Sequence, residues 1–139
     1  MMVWEPPDPA PAPPARPIVM IVDDEPEIRD IESFVLTQAG FAVLPVGSAS
    51  AAVDLVEAEM PVDLVVADLN MPVMNGDEMA ARLRRLRPDL KILFVTAFAD
   101  DLFDGQPMLW SNEAYLDKPF TREGLIEAVS LLLSGQITH

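Results

Sequence analysis

The 139 residues suffice for one domain with a real core, and half of them are apolar, so the bulk is globular. The absence of cysteine excludes disulfides, thiolate metal sites and thiol catalysis, and the single histidine, His139, is terminal, leaving no internal imidazole as base, ligand or phosphoryl carrier. A formal charge of -14 sets the surface against nucleic acid, whose phosphates it repels, and toward cations or basic protein faces. No apolar run approaches the roughly 20 residues of a membrane span, and the N-terminus lacks the pattern of a secretory signal. A cytoplasmic protein that does not meet the membrane is expected.

Residues 1–17 hold seven of the fourteen prolines and read as an extended, disordered tail carrying Trp4. From residue 18 to 139 a β-α pattern repeats five times. Strand one is Ile18 to Val22. The first helix starts near Pro26, suits a first-turn proline, and shows Ile28, Ile31 and Val35 as its inward stripe before Gly40. Strand two, Phe41 to Val46, contains Pro45, which belongs at a sheet edge. Ser48 caps a second helix with Ala52, Val53, Val56 and Met60 on its inner face. Strand three is Val62 to Ala67, and a third helix follows with Met79, Leu83 and Leu86 inward. Around that stripe stand Arg82, Arg84, Arg85 and Arg87, of which Arg82 and Arg85 face solvent. Strand four is Lys91 to Val95, and strand five is Ala114 to Leu116. Between them Gly105 and Pro107 allow only a short or distorted helix, leaving Trp110 as gap filler or partner anchor. The last helix, from about Thr121, buries Leu125, Val129 and Leu132 and stops by Gly135. No output domain is expected after it.

Short apolar runs separated by amphipathic stretches are the pattern of buried parallel strands joined by crossover helices. Four of the runs end in chemistry: Asp23-Asp24 after IVMIV, Asp68 after VDLVVA, Thr96 after ILFV and Lys118 after AYLD. Ligands of such sheets bind beyond the carboxyl ends of the strands. Three carboxylates, a hydroxyl and an ammonium therefore converge in one crevice, a set suited to a divalent cation and a phosphoryl group. Singly, these residues are helix caps, loop acids or surface lysines.

Together, the acids of IVDDEPEIRD, the run ADLNMPVMNG, the threonine of FVTAF and the lysine-proline of YLDKPF resemble the receiver domains of two-component response regulators, over roughly residues 18–134. The resemblance implies a flavodoxin-like (βα)5 three-layer α/β sandwich with a parallel sheet in the order 2-1-3-4-5. It implies that Asp68 is phosphorylated, and that Mg2+ is held by Asp23, Asp24, Asp68 and the backbone carbonyl of Asn70. Lys118 and Thr96 then meet phosphoryl oxygens, a cis peptide before Pro119 aims Lys118, and Thr96 and Tyr115 move together as a switch. Beside Thr96, small Ala97 leaves access for a donor, and bulky Phe98 shields the phosphoryl group from water. The implied donor is a histidine kinase or histidine phosphotransfer protein. The implied output is binding of a further protein, by a monomer or a phosphorylation-dependent dimer. A signalling phospho-acceptor is expected rather than an enzyme; a phosphorylation-independent interaction module on the same fold is the alternative.

Overall fold

Five apolar runs form the strands β1 (Ile18–Val22), β2 (Ala42–Val46), β3 (Leu64–Asp68), β4 (Lys91–Thr96) and β5 (Glu113–Asp117). They alternate with α1 (Pro26–Gln38), α2 (Ala49–Glu57) and α3 (Gly76–Leu86), and a C-terminal helix spans Arg122–Ser134. The computed structural model describes residues 3–4, 16–69, 71, 73–96, 113–117 and 120–134, with no side chain described at Thr96, Glu113, Tyr115 and Asp117. The irregular helix expected between β4 and β5, with Trp110, lies outside the described residues, as does most of the proline-rich tail.

The sheet is parallel throughout and ordered β2-β1-β3-β4-β5, as the resemblance implies. Pro45 stands opposite Ile21 in β2, an edge strand, where its missing N–H costs no inner ladder bond. Alternation along each strand splits the core between two faces. Met20, Val22, Val65, Ala67, Ile92 and Phe94 pack with α2 and α3, whereas Val19, Ile21, Leu64, Val66, Leu93 and Val95 pack with α1 and the C-terminal helix. Both faces of the inner strands are thus covered by helices, which is why those strands read as unbroken apolar runs.

The helix ends follow the sequence. Pro26 opens α1, the Ser48 hydroxyl accepts from Ala51 N at the start of α2, and Asn75 Oδ1 accepts from Glu78 N at the start of α3. The Thr121 hydroxyl accepts from Gly124 N in the same way. The inner faces need three corrections. Ile31 is 53% exposed and Glu32, 2% exposed, takes its inward place beside Val35 and Leu36. Positions 28, 32, 35 and 36 fall on one side of a 3.6-residue helix, and 31 lies at its margin. Met60 lies beyond the end of α2 and is partly exposed, and Leu86 at the last turn of α3 is exposed as well. Arg87 turns inward to donate to the carbonyls of Val62, at 3.0 Å, and Met60. Among the described residues no helix is long and apolar enough to cross a membrane.

Removing a fully buried side chain leaves a cavity, whereas trimming an exposed one does not. Leu36→Ala should lower the unfolding free energy by about 2–5 kcal/mol. Ile31→Ala should change it by no more than about 0.5 kcal/mol. Urea titration of the two variants side by side checks the corrected face of α1.

Candidate functional site

The sheet register gathers the site. Val22 pairs with Ala67, so the next residues, Asp23 and Asp68, leave adjacent strands side by side. Asp68 in turn pairs with Val95, one residue short of Thr96, and Thr96 pairs with Asp117, one residue short of Lys118. Carboxylate oxygens of Asp23, Glu25 and Asp68 lie within 4.8 Å of one another. Asp23 is 1% exposed and Asp68 6% exposed, while Glu25 faces solvent.

Backbone contacts hold the two loops that carry these acids. The Asp23 N–H donates to the carbonyl of Val46, at 3.2 Å, and the Asp23 carbonyl accepts from the Arg29 guanidinium at 2.7 Å. One Asp23 carboxylate oxygen accepts from the Glu25 N–H at 2.9 Å, a tight turn that leads into α1. On the other side Leu69 N donates to Val95 O, and Gly76 N donates to Leu69 O at 2.8 Å, closing the loop after Asp68. A Cβ on Gly76 would stand 2.9 Å from the Asp68 carbonyl oxygen and from Leu69 Cα, so only glycine allows this approach. Within the loop Val73 is fully exposed at φ 69°, a left-handed conformation costly for a β-branched residue.

Asp24 lies beside this trio and outside it. It is exposed and lines a hollow of about 230 Å³ with Gly47, Ser48, Ala49, Ser50, Met71, Val73 and Met74. Glu25, which the sequence analysis does not single out, completes the carboxylate trio with Asp23 and Asp68. The extended Glu25 backbone at the cap of α1 was visible only in its position before Pro26. Thr96 ends β4 and Tyr115 pairs with Phe94 in β5, with neither side chain described. Asn70, Ala97, Phe98, Lys118 and Pro119 lie outside the described residues.

A second, larger hollow of about 410 Å³ is lined by Val62, Asp63 and residues 86–90. It opens at the starts of β3 and β4, the opposite end of the sheet from the acids, and takes no part in the site.

The comparisons with known proteins agree with this geometry. The model of the response regulator receiver domain matches residues 19–130. The chain belongs to the response regulator receiver family. The receiver is 32% identical over 120 residues to the sensor kinase CckA of Brucella abortus, covering 85% of this chain and 13% of that kinase. It thus spans a small part of that relative's length. A response regulator receiver protein from Sinorhizobium medicae superposes with a TM-score of 0.77 at 28% identity, covering 88% of this chain and 98% of that one. The response regulator TrrA of Thermotoga maritima, solved in complex with Mg2+ and BeF, superposes with a TM-score of 0.74 at 28% identity, covering 84% and 98%. Receivers of this kind are signalling phospho-acceptors rather than conventional enzymes.

The donor set suits a hard cation. Three carboxylates are all-oxygen ligands, two of them buried and the third exposed to solvent, and a hard divalent cation keeps several waters beside such ligands. Two predictions follow from the geometry. Gly76→Ala should lower the urea unfolding free energy by about 1–3 kcal/mol, because the added methyl meets backbone atoms that cannot swing aside. A divalent cation at ten times its Kd should stabilise the protein by about 1.4 kcal/mol. Thermal melts should show that gain in the wild type and lose it in Asp68→Ala.

Proposed function

We propose that Asp68 accepts a phosphoryl group from a phosphohistidine on a separate protein, with Mg2+ at the acid cluster. The observation that carries this reading is the gathering of Asp23, Glu25 and Asp68 at the carboxyl edge of the sheet. The solved relative in complex with Mg2+ and BeF lends it support. In the reaction an Asp68 carboxylate oxygen attacks phosphorus, the P–N bond to the donor imidazole breaks, and the ring nitrogen keeps the electron pair. The product is an acyl phosphate on Asp68.

Mg2+ supplies neutralisation of the acids and of the phosphoryl oxygens when bound. Asp23, Asp68 and the Asn70 carbonyl are assigned to hold it, with Glu25 or Asp24 as the further carboxylate. Glu25 already lies in the trio, and Asp24 is its exposed neighbour in the chain. Thr96 is assigned to donate to one phosphoryl oxygen and Lys118 to pair with another, aimed by a cis Lys118–Pro119 bond. Movement of Thr96 with Tyr115 is the proposed switch, which biases the protein toward its partner-binding state. The domain is taken as residues 18–139 after a tail at 1–17, acting in the cytoplasm as a monomer or phosphorylation-dependent dimer.

Incubation with acetyl phosphate and Mg2+ should add a single phosphoryl group to the intact mass. The adduct should be absent in Asp68→Ala and after EDTA. A wild-type protein that stays unmodified sinks the assignment. Phe98 is assigned to shield the acyl phosphate, so Phe98→Asn should shorten the adduct's lifetime severalfold in the same assay. An unaltered lifetime removes Phe98 from that role.

A further inference from the structure

Arg29 is the described cation joined directly to the acid loop, and its contacts are with backbone. Its guanidinium donates to the carbonyl of Asp23 at 2.7 Å. The same group rests against Gly47, just after β2, where a built Cβ would stand 3.4 Å from Nη1 and 3.8 Å from Cζ. Asp23 is therefore held from two sides, its N–H by Val46 of β2 and its carbonyl by Arg29 of α1. Two of the three clustered carboxylates, Asp23 and Glu25, belong to this clamped segment, and Arg29 N also donates to the carbonyl of Glu25 at 3.0 Å. Half-buried between loop and helix, the guanidinium spans the first turn of α1 and ties the segment to the turn that follows β2.

We infer that Arg29 is a positioning residue for the cation site, fixing the Asp23–Glu25 segment against the turn after β2 and so holding its carboxylates in place beside Asp68. The inference rests on the proposed binding of Mg2+ at the trio. It makes a prediction of unusual sign. By charge alone, a cation beside three acids opposes the binding of another cation, so removing Arg29 should tighten Mg2+ binding. By position, removing it frees the loop that presents two ligands, and outer-shell anchors of this kind are worth about tenfold or more in metal affinity. The positional effect is expected to win, because the arginine charge is half-exposed and screened by water whereas its hydrogen bond lies on the ligand-bearing backbone itself.

Mn2+ binding to the full chain, counted by electron paramagnetic resonance and displaced by Mg2+, measures both affinities without any phosphoryl transfer. Wild type should bind and Asp68→Ala should not; equal binding by the two defeats the site reading and this inference with it. Given that difference, Arg29→Ala should weaken Mg2+ about tenfold. Its urea midpoint in EDTA should stay close to wild type. An unchanged or tighter Kd in Arg29→Ala overturns the inference while leaving the site reading intact. Should Arg29→Ala fail to fold, Gly47→Val decides. Its γ-methyls crowd the guanidinium from the facing loop while keeping the charge, so weaker Mg2+ binding supports positioning and an unaltered Kd refutes it.

Discussion

Parallel pairing in one shared register is the constraint from which the site follows. Val22 opposite Ala67 and Ala67 opposite Phe94 bring three strands to the same edge nearly in phase. The consequence is electrostatic. Two unit charges 4.8 Å apart at an effective dielectric of about 20 repel by roughly 3–4 kcal/mol, and the trio contains three such pairs. The fold tolerates this because the acids sit at strand ends, where water reaches Glu25, while the strands beneath them are apolar on both faces. A core of that kind, placed directly below, supplies the rigidity that keeps repelling groups from drifting apart. The same repulsion makes the cluster receptive to a cation.

The loops around the acids are fixed mainly through backbone groups. Asp23 is tied to Val46, Leu69 to Val95, and Gly76 back to Leu69. With both ends of the Leu69–Gly76 loop pinned, its interior has to absorb the remaining turn, and Val73 does so at φ 69°. A β-branched residue in that conformation costs about 1–2 kcal/mol. Val73 is fully exposed and recovers none of it by packing. Strain is therefore stored within five residues of Asp68, in the segment that also presents Met71 and Met74 to the neighbouring hollow. Closure by a glycine that approaches the Asp68 carbonyl to contact distance is what forces the turn to be so tight.

Much of this was legible in the sequence, and the failures have physical reasons. Strand ends could be read because apolar runs stop where the sheet stops, so Asp23, Asp68 and Thr96 fell correctly at the edge. The place of β2 at the edge followed from one proline. Helix faces were harder. The α1 stripe was read through Ile31 on hydrophobicity, yet Glu32 is the buried residue, because helix phase and not side-chain type decides which position meets the sheet. Leu86 and Met60, expected inward, are exposed for a different reason, since both stand at or past helix ends, where periodicity no longer predicts direction. Within the acid run, the sequence did not single out Glu25 as a third carboxylate beside Asp23 and Asp68. Glu25 comes within reach of Asp23 and Asp68 at a turn where the Asp23 carboxylate accepts the Glu25 N–H, a contact invisible to pattern.

Charge connects this small site to the whole molecule. The chain has 23 acids against 9 lysines and arginines. Several of those cations are engaged within the fold: Arg29 at the acid loop, Arg87 on the carbonyls of Met60 and Val62, Lys91 on the carbonyl of Leu133. Arg82 pairs with Glu78 at 3.4 Å on an exposed helix face, where such a bridge contributes little. Under the proposed phosphoryl transfer, an anionic donor would approach a surface of its own sign and then a cluster of three carboxylates. Long-range steering would work against that encounter, and a basic rim on the donor protein would reverse it. At the acids, no surface complementarity would substitute for a local positive charge in that reaction, since the attacking carboxylate would have to come within bonding distance of a phosphorus ringed by anionic oxygens. A cation at the trio would thus be a condition of the proposed chemistry as well as a relief of the fold's own repulsion, and both demands would fall on the few backbone bonds that keep Asp23 beside Asp68.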